Sequence, residues 1–341
     1  MKALVYTGPG SMELSQWKKP KAKEGEVLVK VRAVGICGSD VEGYLGKTGR
    51  RIAPMIMGHE FSGEVVKVSQ GSKFRVGDKV VVQPKLYCGS CMYCQMGLSN
   101  VCPNGEFLGV MSCDGAMAEY VAVGEQYVFR YGGNVTFEEA SMVEPLAVAY
   151  RGVRKIDGDL ADSFILVVGA GTIGLLVLQL LRQRGAENII VSDLSDYRLE
   201  KARELGAAYT VNSGRENLME RIDELTSGRM VDYSFEAVGV NDTAADSLYG
   251  LRIGGTAVWI GNAHKMIEIN MQRIVTTELV VRGTYIYKDE DYEECIKLIE
   301  QGAVDLKSII SLETDLENGP EVFRQLAENK DGSLLKVILK P

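Results

Sequence analysis

The chain has no block of basic residues. Lys and Arg number 38 against 46 Asp and Glu, a formal charge of −8, and no basic stretch is interleaved with aromatics. Nucleic acid and anionic membrane surfaces are thereby excluded as expected partners. Repeats and low-complexity segments are also missing. With 46% hydrophobic and 25% charged residues over 341 positions, the composition excludes disorder, collagen and coiled coil and suits about two globular domains. The opening MKALVYTGPG carries only four apolar residues in a row before a Gly-Pro turn, too few for a signal-peptide core. One long uncharged run exists, at 164–181. Gly169, Gly171 and Gly174 punctuate it, and Arg182 and Arg184 follow, which reads as a buried strand, a glycine turn and a helix, not a membrane span. Cysteine is odd in number, seven, with four crowded into 88–102. A disulfide-stapled secreted domain does not look like this; a reduced, metal-binding protein of the cytoplasm does.

The first 150 residues read as β-rich. Val27, Val29 and Val31 alternate with Leu28, Lys30 and Arg32, and GEVVKV (63–68) and DKVVV (78–82) are further short strands. Residues 83–115 hold turn formers and cysteines with little periodicity, a long lobe that needs something other than a core to hold it. After about residue 160 apolar runs alternate with helical stretches. FILVV (164–168), a helix over 173–184, NIIVSD (188–193) and an amphipathic helix over 197–207 begin a series that implies a parallel sheet of βαβ units. A helix over 291–304 and a trailing strand, LLKVILK (334–340), close the chain, and that strand has the option of returning to the first domain.

Gly169-Ala170-Gly171-Thr172-Ile173-Gly174 matches G-x-G-x-x-G between an expected strand and an expected helix, and Asp193 lies nineteen residues beyond Gly174 at the end of the next strand. The first glycine makes the tight turn, the second admits a pyrophosphate to the backbone, and the third lets helix pack on strand. The helix N-terminus offers free N–H groups to the phosphates. Asp193 would bond the ribose hydroxyls of NAD and repel a 2′-phosphate, so NAD is expected over NADP. Arg198, five residues on, flanks the adenine or is one charge on a solvated helix. Val238, after the strand that follows, joins the expected cofactor-binding set.

Cys88, Cys91, Cys94 and Cys102 are spaced C-x2-C-x2-C-x7-C. Four thiolates close a tetrahedral shell with no open position, a structural zinc site. An iron–sulfur cluster is the alternative, since Cys102 precedes Pro103. Cys37, His59 and Glu144 lie in three separate turns and offer the thiolate, imidazole and carboxylate of an open, catalytic zinc site. Spacing alone leaves a buried cysteine and a hydrogen-bonded His59-Glu60 pair equally admissible. His264, Cys113 and Cys295 receive no role.

Taken together, GICGSD (35–40), GHEFSGEVV (58–66), Gly77-Asp78, the four-cysteine lobe, DGAMAEY (114–120), EPLAVA (144–149), GAGTIG and Asp193 resemble the zinc-dependent medium-chain dehydrogenase/reductase family. The branch is the polyol one, which includes sorbitol dehydrogenase-like and sugar alcohol phosphate dehydrogenase-like enzymes. The resemblance implies an α/β architecture. A GroES-like catalytic β domain would cover 1–152 and 290–341, with its structural zinc lobe at 84–104. A Rossmann NAD-binding domain, a doubly wound parallel sheet, would be inserted at 153–289. It implies Cys37 and His59 as catalytic zinc ligands, with Glu60 and Glu144 as further or exchanging ligands. Glu144 stands where other alcohol dehydrogenases place a cysteine. Ser39 would pass the substrate proton outward. Two zinc ions per chain and a homodimer or homotetramer are implied as well.

The expected reaction is reversible oxidation of a secondary alcohol (polyol, sugar alcohol or its phosphate) to the ketone. An L-threonine-type or simple secondary alcohol substrate is the alternative within the family, and a non-catalytic zinc and dinucleotide-binding protein the alternative outside it. Two positions depart from the pattern. Glu42 stands where many relatives extend the proton relay with histidine, and Ser69 replaces a signature glycine. Lys47, Arg50 and Arg51 lie between Cys37 and His59 and would bind a substrate phosphate or form a solvated basic loop. Tyr44 and Phe107 line the pocket or simply pack.

Overall fold

The computed structural model describes residues 1–111, 113–329 and 331–341. The longest strand, Glu26–Ile36, organises the N-terminal half. Val27, Val29 and Val31 are fully buried while Lys30 and Arg32 reach partway to solvent, the alternation expected from sequence. One side of this strand pairs antiparallel with Glu60–Lys67. The other side is shared: its first residues pair with Tyr120–Gly124 and its last with the C-terminal strand Lys336–Lys340. Ile310–Asp315 then adds parallel to Lys336–Lys340, and Lys79–Val82 and Val128–Arg130 extend the opposite edge into a seven-stranded sheet.

The second half is a six-stranded, wholly parallel sheet. Its order is Tyr209–Asn212, Asn188–Asp193, Phe164–Val168, Val231–Glu236, Leu251–Trp259, Val280–Gly283. The strand earliest in sequence sits centrally, so chain direction across the sheet reverses between Phe164–Val168 and Val231–Glu236. That crevice is where ligands meet doubly wound folds. FILVV is apolar throughout because both faces are covered. Ile165 and Val167 pack with the helices Thr172–Gln183 and Asp196–Glu204, whereas Leu166 and Val168 pack with Leu218–Thr226 and Asn241–Tyr249. No helix among the described residues is long and apolar enough to cross a membrane.

Element bounds depart from the sequence reading where caps decide them. The helix expected over 197–207 runs Asp196–Glu204, and Gly206 beyond it takes φ +98°. The one expected over 291–304 is Asp289–Glu300. Strand Ile310–Asp315, helix Gly319–Glu328 and the edge strand Val280–Gly283 are not among the elements expected from sequence, although Val322, Phe323, Leu326 and Ala327 of the helix fall at helical spacing and pack on the core. The segment 83–115 is built of scraps: Lys85–Leu86 pairs with Glu106–Phe107 around the one-turn helix Met92–Gln95.

The glycine loop supplies a test of packing. A Cβ on Gly174 would lie 1.8 Å from the carbonyl oxygen of Gly169, whereas one on Gly171 meets nothing within 4 Å. Gly174→Ala is expected to lower stability by about 2 kcal/mol or more, and Gly171→Ala to change it by less than about 0.5 kcal/mol. Urea midpoints measured side by side check this.

Candidate active site

The segment Gly35–Asp40 leaves strand Glu26–Ile36 and enters the short helix Gly38–Tyr44 with Cys37 at its N-cap. Gly58 (φ +94°) turns the chain so that His59 leads into the adjacent strand and Glu60 opens it. A donor atom from each of Cys37, His59 and Glu60 lies within 4.8 Å of the others, with the histidine and glutamate buried. Gly35 is required here, because a Cβ would stand 2.4 Å from Glu60 Oε2. A thiolate, an imidazole and a carboxylate on one cation fit zinc.

Around these three runs a second set of contacts that sequence reading missed. Lys336, fully buried, donates from Nζ to Glu60 Oε2 at 2.5 Å and to the Ile36 carbonyl at 3.1 Å. One residue earlier, the Leu335 carbonyl accepts from Thr172 Oγ1 at 3.1 Å, so the glycine loop and the cation site are joined through two consecutive residues. Asp40 Oδ1 lies 3.6 Å from His59 Nδ1, and Arg51 Nη2 donates to the same oxygen at 2.8 Å. Burial alone would raise the Asp40 carboxyl, but His59 and Arg51 beside it hold it well below the ordinary carboxylate range. Burial opposes charge on His59, yet Asp40 and Cys37 raise its pKa well above 6.5. Phe107 packs its ring against the imidazole at 5.6 Å in a T-shaped pair.

Glu144, on helix Val143–Val153, is buried and electrostatically coupled to His59, Glu60 and Lys336, but it stands outside the three-residue cluster. Its Oε1 accepts from Tyr287 Oη at 2.8 Å. Burial first, and the charge of Glu60 with it, push its pKa up to about 7 against the pull of His59. Ser39 is exposed beside Cys37, and Glu42 is half-buried on the same short helix. Arg51 is turned inward on Asp40 with its side chain 3% exposed, while Lys47 and Arg50 remain exposed. Tyr44 is buried and packs at a tilt against Phe323, ring centroids 5.4 Å apart, which places it in the core.

The four lobe thiols also converge. Separations are 3.5 Å for Cys91–Cys94 and Cys88–Cys102, 3.8 Å for Cys91–Cys102 and 4.0 Å for Cys88–Cys94. A tetrahedron with zinc–sulfur bonds of about 2.3 Å has edges of roughly 3.8 Å, so the set fits one zinc ion. A cluster, in which each thiolate holds a different iron, would spread them further. Backbone N–H groups of Ser90 and Cys91 pull the Cys88 thiol down to about 6, favouring the thiolate.

At the glycine loop, Gly169 has φ +97° and its absent Cβ is replaced by Val238, whose Cγ2 would be 2.5 Å away. The open space at Gly171, above the N-terminus of Thr172–Gln183, is the cradle a pyrophosphate needs. Asp193 accepts from Ala170 N at 2.7 Å and Ser195 N at 2.9 Å, one bond per oxygen, leaving capacity for ribose hydroxyls. Arg198 lies 4.0 Å from Asp193 and donates to the Gly332 carbonyl.

Comparison with known proteins places this geometry in a family. Residues 23–132 match the alcohol dehydrogenase GroES-like domain and residues 172–301 the zinc-binding dehydrogenase domain. Sorbitol dehydrogenase of Bacillus subtilis is 32% identical over 346 residues, covering 100% of this chain and 97% of that protein. Galactitol-1-phosphate dehydrogenase from Escherichia coli superposes with a TM-score of 0.93 at 28% identity, over all of both chains. A zinc-binding dehydrogenase from Sinorhizobium meliloti bound to NADP superposes at 0.92 with 30% identity, over 100% of this chain and 99% of that one. The chain belongs to the zinc-dependent medium-chain dehydrogenase/reductase family, in its polyol dehydrogenase branch, and is an oxidoreductase. Its GroES-like and Rossmann architecture is the one the sequence resemblance implied.

The raised Glu144 pKa has a measurable sign in metal-stripped protein. The folded state binds its proton more tightly than the unfolded chain, whose value is near 4.5. This contribution to stability is full below about 4.5 and is lost as pH rises through about 7. Glu144→Gln is expected to flatten the fall in stability across that window by about 3 kcal/mol at most, as read from urea unfolding at stepped pH.

Proposed function

We propose that the protein is a zinc- and NAD-linked dehydrogenase that interconverts a secondary alcohol (a polyol, sugar alcohol or sugar alcohol phosphate) and its ketone. The observation that carries this reading is the convergence of Cys37, His59 and Glu60 on one point, joined to the glycine loop through the two consecutive residues Leu335 and Lys336. Zinc, when bound, supplies a Lewis acid that lowers the pKa of an alcohol, and the nicotinamide supplies the hydride acceptor. Cys37 and His59 would hold the metal, with Glu60, paired with Lys336, and Glu144 as further or exchanging ligands. Asp40, 3.6 Å from His59 Nδ1, acts on the imidazole through its charge. Ser39, exposed beside Cys37, takes the hydroxyl proton towards solvent. Gly169, Gly171, Thr172, Ile173 and Gly174 seat the pyrophosphate, and Val238 flanks the loop. Asp193 favours NAD over NADP through its spare acceptor capacity and negative charge. The same reading carries a second zinc on Cys88, Cys91, Cys94 and Cys102, and assembly as a homodimer or homotetramer in the cytoplasm.

Cys37→Ser is expected to abolish alcohol-dependent NAD reduction in a screen of polyols, sugar alcohol phosphates and simple secondary alcohols, with NADH binding retained and metal content reduced from two zinc to one. Full turnover by that variant removes the catalytic site from Cys37.

The phosphate question narrows to two side chains, because Arg51 is committed to Asp40. Lys47→Ala and Arg50→Ala are expected to raise KM for a phosphorylated polyol selectively, and Arg51→Ala to lower kcat on phosphorylated and plain polyols alike. Steady-state kinetics on such a matched pair decide it, and equal effects of all three substitutions on both substrates rule out phosphate recognition by this loop.

A further inference from the structure

Tyr287, the hydrogen-bond donor to Glu144, sits in a stretch between the edge strand Val280–Gly283 and helix Asp289–Glu300 that has no ladder or helix of its own. The four-cysteine lobe grips that stretch on either side of it. Asn100, two residues before Cys102 and buried, donates from Nδ2 to the Tyr285 carbonyl at 2.9 Å. Tyr87, next to Cys88, donates from its hydroxyl to Asp289 Oδ2 at 2.6 Å. Tyr127 in turn donates to the Tyr87 carbonyl at 2.6 Å and packs edge-on against the Tyr87 ring, tying the base of the lobe to the β sheet. Between the two grips Ile286 takes φ +41°, a conformation a β-branched residue adopts only when its surroundings impose it. The far end of the stretch is anchored to Glu144's own helix, since Arg151 and Arg154 each donate to the buried carboxylate of Asp291 at 2.9 Å.

The Glu144 carboxylate is therefore located by a closed frame. One side is its helix, clamped at Asp291; the other is the Tyr287 hydroxyl, whose position depends on lobe contacts at residues 285 and 289. We infer that the four-cysteine lobe positions the active site, with Tyr87 and Asn100 as positioning residues that act through Tyr287 on Glu144. This inference rests on the reading of Glu144 as part of the catalytic metal site. A lobe that served only its own stability would need neither contact, because its thiols already close on one another.

The test uses the two-zinc holoenzyme and reads the rate at which a chelator such as dipicolinate removes the zinc that is absent from Cys37→Ser, with NADH binding as the check on folding. Tyr87→Phe removes one hydroxyl, and Asn100→Asp keeps the side-chain shape while removing the donor to Tyr285. Each is expected to speed loss of that zinc roughly three- to tenfold, the range one hydrogen bond spans, with NADH binding unchanged. Tyr287→Phe should do the same. The double variant Tyr87→Phe/Tyr287→Phe should be no faster than Tyr287→Phe alone, because the two act along one path. Multiplying effects in the double variant, or wild-type rates in both Tyr87→Phe and Asn100→Asp, overturn the inference. Glu144→Gln separates the two levels. If it leaves the rate at wild type, the placement of Glu144 in the metal site falls; if it changes the rate while the lobe variants do not, only the role of the lobe falls.

Discussion

The contact between Lys336 and Glu60 is the one on which the rest of the site depends. Both side chains are almost wholly shielded from water, and their charged atoms meet at 2.5 Å. Taking either charge out of water alone costs several kcal/mol, so each is tolerable only because of the other. The pair closes a sheet as well as a charge balance. Lys336 begins the strand whose Val337 and Leu339 lie opposite Ile36 and Val34, and the residue before it meets Thr172 at the dinucleotide loop. Three things are thus set by one strand: where Glu60 points, how the β sheet is completed, and how close the nucleotide cradle stands to the cation ligands.

Around the cation ligands the same principle repeats in weaker form. Asp40 is buried beside His59 and is itself neutralised by Arg51, for which Gly43 leaves room, since a Cβ there would stand 2.6 Å from Arg51 Cγ. A carboxylate behind the imidazole strengthens it as a ligand and also as a proton acceptor. Metal and proton therefore compete for His59, and the competition tilts to the proton as pH falls. Glu144 is governed differently. With a phenol as its hydrogen-bond partner and burial pushing its pKa up to about 7, it can change charge state near neutral pH.

Much of this was legible in the chain. Apolar runs such as FILVV announced a strand covered on both faces, the glycines at 169, 171 and 174 announced the turn, and thiols at 88, 91, 94 and 102 announced their meeting point, because each signal is local. The unread parts are contacts between distant segments. Lys336 looked like one polar letter in a trailing strand; only the pairing of that strand with Glu26–Ile36 shows that the lysine faces a carboxylate. Arg51 looked like part of a basic loop, and its inward turn depends on an acid eleven residues earlier. Tyr287 had no periodicity to mark it, since it lies where neither helix nor strand imposes one. The ends of helices differ by a few residues for a related reason: N-caps such as Ser195, whose side chain accepts from Arg198 N, act on single residues that periodicity does not weigh.

The sequence distance between Glu60 and Lys336, 276 residues, has a consequence for how the molecule comes into being. At about 5–20 residues per second, a translating ribosome adds the lysine roughly 15 to 55 seconds after the glutamate. Throughout that interval the edge of strand Glu26–Ile36 that will receive the last strand is open, and an acidic group destined for the interior must stay hydrated. Until Lys336 arrives, burying the Glu60 carboxylate has no counter-charge to offset its desolvation, so the sheet edge and the acid site are completed together by the last strand.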